Sequence, residues 1–118
     1  MANAALFIGW GQPVRGREPQ SVQVFNEAIQ YYTELMRRGE IESFEPVALE
    51  AHGGDLQGFV LVRGDREKLD RLHQSEESRR LYARASFVVD GFGVVGATIG
   101  EGVQRLYSNL SQVTADIT

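Results

Sequence analysis

The sequence predicts an α+β fold: one four-stranded antiparallel sheet with helices on a single face. Three observations carry that reading. The stretch Ile41 to Arg63 (IESFEPVALEAHGGDLQGFVLVR) holds two β-favouring runs on either side of Gly53-Gly54, a pair suited to the positive φ of a tight hairpin turn. Each side of this hairpin carries an amphipathic helical pattern and, beyond it, a short apolar run. Pro46 cannot donate a ladder hydrogen bond, so the first hairpin strand belongs at a sheet edge.

In order, Ala4 to Trp10 (ALFIGWG with Gly11) reads as the first strand, and Gln12 to Glu18 as a polar loop carrying Pro13, Arg15, Gly16 and Arg17. Pro19 suits the first turn of a helix. Val22, Phe25, Ala28, Ile29, Tyr32, Leu35 and Met36 then recur at helical spacing, and Arg37, Arg38 and Gly39 supply the stop. After the hairpin, Asp65 is an N-cap for a second helix with Leu69 and Leu72 inside. A break is expected near Ser75 to Ser78, followed by one or two further turns through Leu81, Tyr82 and Ala85. Phe92 to Ile99 is the fourth strand. Val103, Leu106, Tyr107, Leu110 and Val113 trace a short terminal helix.

If Gly53 and Gly54 are the central turn residues, the register follows: Val47 opposite Val60, Pro46 opposite Leu61, Phe44 opposite Arg63. Ala51, Leu56, Leu49, Val47 and Val60 would then face the helices. Phe44, Glu50, Gln57, Phe59, Leu61 and Arg63 would face away.

Two strand–helix–strand halves with right-handed crossovers make a ferredoxin-like βαββαβ plait, strand order 4-1-3-2, as one domain over residues 1–118. Its second strand is an edge strand, where Pro46 already placed it. The helix-free face keeps Phe44, Phe59 and Leu61, too apolar for a solvated face, which points to a homodimer packed sheet to sheet.

The element order, the single ferredoxin-like unit and the semi-apolar open face resemble the dimeric α/β-barrel superfamily, with its YCII-related, stress-responsive and antibiotic-biosynthesis-monooxygenase-like members. That resemblance is architectural and spans nearly the whole chain. It implies a homodimer with a small-molecule cavity at the open face, and monooxygenase-, isomerase- or lyase-like chemistry without a tightly bound cofactor.

Composition narrows the classes. A formal net charge of −4 disfavours nucleic-acid partners, and the absence of cysteine removes thiolate metal sites, disulfides and thiol redox chemistry. The apolar start lacks the basic region and cleavage site of a signal peptide, and no run suffices to span a membrane. A soluble, cytoplasmic protein is expected.

The plait brings three segments to one end of the sheet: the loop after the first strand, the hairpin turn and Asp90-Gly91. His52 is the candidate acid, base or ligand there, with Asp55 (or Asp90) to orient it. Trp10, Phe44, Glu50, Phe59 and Arg63 are the candidate substrate-binding residues around an open-face cavity. Each has a plainer role: His52 flanks a turn, Trp10 and the phenylalanines pack, and Glu50 and Arg63 sit at a rim. Arg15 and Arg17 beside a helix N-terminus suit an anion or simply a solvated loop. His73, on a charged helix, reads as surface. No metal or cofactor site is expected. Gly91 to Gly96 matches G-x-G-x-x-G, but it leads into strand-like residues near the chain's end and so lacks the context of a dinucleotide site. Two functions remain: a small-molecule enzyme or binder, and a non-enzymatic dimeric assembly module.

Overall fold

A computed structural model describes residues 2–117. The elements are β1 (Ala4–Trp10), α1 (Glu18–Arg37), β2 (Ser43–Ala48), β3 (Gly58–Gly64), α2 (Arg66–Gln74), α3 (Glu76–Val88), β4 (Gly93–Ala97) and α4 (Glu101–Ile117). The strands form one antiparallel sheet in the order β2-β3-β1-β4, which is the expected 4-1-3-2 read from the other edge. Pro46 lies in edge strand β2.

β1 is central and nearly all buried, which is why its sequence is a continuous apolar run rather than an alternating one. Leu6 stands opposite Val62 and Ile8 opposite Val60, and these four make the core floor beneath Tyr32 and Leu35 of α1. Phe7 stands opposite Leu61 on the other, helix-free face.

The buried line of α1 runs through Val24, Tyr32 and Leu35. Val22, Phe25 and Met36, expected on the inner face, remain substantially exposed. The helix is rotated so that Val24, Ala28 and Tyr32, spaced by four, point at the sheet. Gly39, with φ of 77°, ends it.

Asp65 caps α2 by accepting from the Lys68 amide, and Ser75 both ends α2 and caps α3. Its Oγ donates to the Leu72 carbonyl at 2.7 Å and accepts from the Ser78 amide at 3.2 Å. α3 runs 13 residues rather than one or two turns. No glycine or proline interrupts the chain between Ser75 and Gly91, so nothing stops it earlier.

The hairpin departs from expectation by one residue. Phe44 pairs with Val62, Pro46 with Val60 and Ala48 with Gly58. Because side chains alternate, that slip turns β2 over. Phe44, expected on the open face, lies under the helices with its ring 5.9 Å from that of Tyr32, and Val47 takes the open face instead. The cause is the connection. A two-residue type I′ turn needs positive φ twice, and of the two glycines only Gly53 has it. Residues 49–57 instead form a longer loop, anchored where the Gln57 amide donates to the Trp10 carbonyl at 2.8 Å. The ladder therefore restarts at Gly58.

α4 follows β4 through Thr98 to Gly100, and none of its residues is buried. No helix among the described residues is long and apolar enough to cross a membrane.

Candidate functional site

A cavity of about 300 Å³ lies between the sheet and helices α1 and α3. Ile8 and Trp10 of β1 form part of its floor, Phe25 and Ala28 one wall, Tyr82 and Ala85 the other. Local sequence explains the space. Trp10 is in the last position of β1 and lies over Gly58, where no side chain competes. Ala28 and Ala85 occupy inner positions where longer side chains would fill the volume. The helices are held beside the gap by polar ties: the Arg84 guanidinium donates to the Glu27 carboxylate at 2.8 Å, and the Tyr31 and Ser78 hydroxyls lie 2.9 Å apart.

The lining is almost wholly hydrocarbon and aromatic. Trp10 meets Phe25 edge to face, centroids 5.8 Å apart. Tyr82 lines the cavity, and its hydroxyl lies 3.2 Å from Nδ1 of His73, a residue outside the lining. Burial pushes the Tyr82 phenol up to about 12, partly opposed by its hydrogen bond with Ser78. Burial likewise raises the Tyr32 phenol, with the Tyr82 and Tyr31 hydroxyls adding to the effect. Both phenols are therefore protonated at neutral pH.

A cavity was expected at the open face; this one lies on the opposite side of the sheet. Of the residues singled out from sequence, Trp10 lines it. Phe44 is part of the core. Phe59 lies on the open face, stacked on Phe7 with centroids 5.0 Å apart, and Arg63 there pairs with Glu45 at 3.2 Å. Glu50, His52 and Asp55 are exposed in the loop after β2. Both His52 ring nitrogens serve that loop: Nε2 lies 2.7 Å from the Leu56 carbonyl, and Nδ1 accepts from the Gly54 amide at 3.2 Å. Arg17 donates to the Phe87 carbonyl at 2.8 Å, tying the first loop to the end of α3.

The three segments expected at one end of the sheet do meet. The Gly11 amide donates to the Asp90 carbonyl at 2.7 Å, and Trp10, Asp55 and Asp90 border a second, open depression of about 510 Å³. No group of three or more metal-ligating side chains occurs among the described residues. Gly93 and Gly96 lie within β4 and open no helix.

Sequence reading passed over Tyr82 and His73. His73 is half-buried, its ring centroid 5.6 Å from that of Tyr82, not a surface residue. The available signal was the pairing of alanines and tyrosines on the inner faces of two helices that the plait packs side by side.

No protein-family model and no curated protein sequence matches the chain. Solved structures do. A dimeric ferredoxin-like protein of unknown function from Thermobifida fusca superposes with TM-score 0.62 at 13% identity, covering 84% of this chain and 93% of that one. The fold is ferredoxin-like. This ferredoxin-like chain is also similar to a DABB-family protein from Mesorhizobium loti (TM-score 0.62, 13% identity, 83% and 98% covered). A third similar structure is a cofactor-independent oxygenase from Streptomyces nogalater (TM-score 0.54, 12% identity, 84% and 95% covered).

Proposed function

We propose that this ferredoxin-like protein works as a homodimer in which each protomer binds one small, largely apolar organic molecule between the sheet and helices α1 and α3. The observation that carries the reading is the cavity of about 300 Å³ with its aromatic and hydrocarbon lining, Trp10, Phe25 and Tyr82 among it. That volume lies at the lower end of the range for small-molecule sites, and the arrangement of an apolar lining with few oriented polar groups is typical of them. A planar molecule of one or two rings would lie against the edge-to-face pair of Trp10 and Phe25, with an oxygen on it reaching the Tyr82 phenol.

The homodimer is supported by the apolar open face, where Phe7, Phe59, Leu61 and Val47 stand together, and by the dimeric state stated for the Thermobifida fusca structure. The cofactor-independent oxygenase of the same fold suggests oxygenation of the bound ring as the chemistry to assay first. A non-enzymatic assembly role is favoured by the open face alone and leaves the cavity without a purpose.

The chain has one tryptophan, so intrinsic fluorescence reports on the cavity through Trp10. Titration with 1-naphthol should give a saturable change that Ala28→Phe, which fills the cavity, removes while the protein remains folded. Tyr82→Phe should weaken 1-naphthol roughly 3- to 10-fold, the worth of one hydrogen bond, but leave naphthalene unaffected. A non-saturable response, or equal binding by Ala28→Phe, would exclude the cavity as the site. Oxygen uptake with bound 1-naphthol then separates an enzyme from a carrier.

A further inference from the structure

α4 ends the described chain as an amphipathic helix with nothing packed on it. Leu106, Tyr107, Leu110, Val113 and Ile117 are all more than half exposed. The radius of gyration, 16.4 Å, exceeds the value of about 13.5 Å for a compact domain of this length, as a projecting helix would cause. At 17 residues α4 is some 26 Å long, and helices in proteins draw most of their stability from packing an amphipathic face. Among the described residues, the apolar row of α4 stays open to solvent.

The spacing identifies the mate. Val103, Leu110 and Ile117 are seven residues apart, and so are Leu106 and Val113. The two series are the a and d positions of a heptad repeated about twice, with Tyr107 beside them at the flanking e position. Such a seam is self-complementary. A lipid surface is disfavoured, because the remaining faces carry Gln104, Ser108, Ser111 and Gln112 with Arg105 as the sole base, against Glu101 and Asp116.

Area points the same way. Four strands of 7, 6, 7 and 5 residues, about 3.3 Å per residue and about 4.8 Å apart, give an open face of roughly 400 Å² measured flat. The seam of α4, about 26 by 10 Å, adds roughly 260 Å². Together they come nearer to the ~800 Å² per partner of a standard interface than the sheet face does alone. Only Thr98 to Gly100 separate α4 from β4, whose exposed Val95 lies on the open face opposite Phe7.

We infer that α4 pairs along this seam with α4 of a second copy of the chain, extending the sheet-to-sheet contact. The inference rests on the homodimer reading above.

Sedimentation equilibrium on the full chain tests it. Wild type should be a dimer. Leu110→Arg strikes a two-fold contact twice and should raise the dimer Kd at least ~100-fold, whereas Gln104→Arg, off the seam, should not. No residue of α4 is buried, so circular dichroism and Tm of Leu110→Arg should show the domain still folded. The chain has no cysteine, so a lone Leu110→Cys should form an oxidised covalent dimer that Gln104→Cys does not. A wild-type dimer that is unaffected by Leu110→Arg, or that fails to crosslink through Leu110→Cys, overturns the α4 pairing and leaves the homodimer standing. A wild-type monomer overturns both. A monomer that binds phosphatidylglycerol vesicles through α4 gives the helix to a membrane instead.

Discussion

The Trp10 indole lies directly over Gly58: a β-carbon placed on Gly58 would stand 2.7 Å from Trp10 Cζ2 and 2.8 Å from the Val47 carbonyl oxygen. The glycine is needed for space, not for a positive φ. Its removal therefore acts on the cavity floor and on the first ladder position of the hairpin together.

Gly58→Ala should destabilise the fold by about 1–3 kcal/mol, the usual cost of overpacking, because the Val47 carbonyl is backbone and cannot swing aside. Urea unfolding measures the loss, and a red shift of Trp10 emission would show the indole displaced. An unchanged midpoint and emission would mean that Trp10 does not rest on Gly58.

Tyr82 makes stability fall at alkaline pH. Its folded phenol is held up at about 12, while an unfolded tyrosine titrates near 10. The folded state thus keeps a proton that the unfolded state has already lost. The stabilisation is complete below pH ~10 and disappears as pH rises towards 12. The urea midpoint should fall over that window, and Tyr82→Phe should flatten part of the decline. Tyr32, raised by burial as well, accounts for what remains. A wild-type midpoint level from pH 9 to 12 would show that neither phenol is shielded.

The plait was legible because its signals are local or pairwise. Asp65 and Ser75 announce their caps, the alternation in β3 announces a two-faced strand, and Pro46 announces an edge. The register of β2 was not legible, because it depends on how many residues the connection 49–57 takes up, which the Gly53-Gly54 pair does not announce. The one-residue slip puts Phe44 in the core and Val47 outside. The cavity was hidden for a related reason. It is made by what Ala28, Ala85 and Gly58 lack, and an absence of atoms has no periodicity. His52 drew notice for its chemistry, whereas Tyr82 and His73 meet only when α2 and α3 fold at Ser75.

Ser75 holds that corner by two hydrogen bonds, one to each helix. Ser75→Ala should cost about 1 kcal/mol, typical of a lost N-cap, and Ser75→Asp, which keeps the acceptor for the Ser78 amide but has no proton for the Leu72 carbonyl, should recover part of it. Chemical denaturation at pH 7 reads both. Because His73 lies two residues before the corner, Ser75→Ala should also shift the His73 imidazole resonances. Equal loss in the alanine and aspartate variants would assign the corner to packing alone.

His52 allows the sharpest separation of chemistry from architecture. Its two ring nitrogens are engaged by the Leu56 carbonyl and the Gly54 amide, so the imidazole closes the loop over residues 49–57. With Nδ1 accepting from the Gly54 amide, Nε2 is left to donate to the Leu56 carbonyl. Acting as a base toward a ligand would require one of these bonds to open. His52→Ala should therefore loosen the loop, speed amide exchange at Gly54 and cost at most ~1 kcal/mol, since both bonds are exposed. The affinity of the cavity for 1-naphthol should not change, because the cavity lies across the sheet from the open face and His52 is absent from its lining. Loss of binding or turnover in His52→Ala with loop exchange and Tm preserved would move the functional site to this end of the sheet, where Asp55 and Asp90 border the open depression.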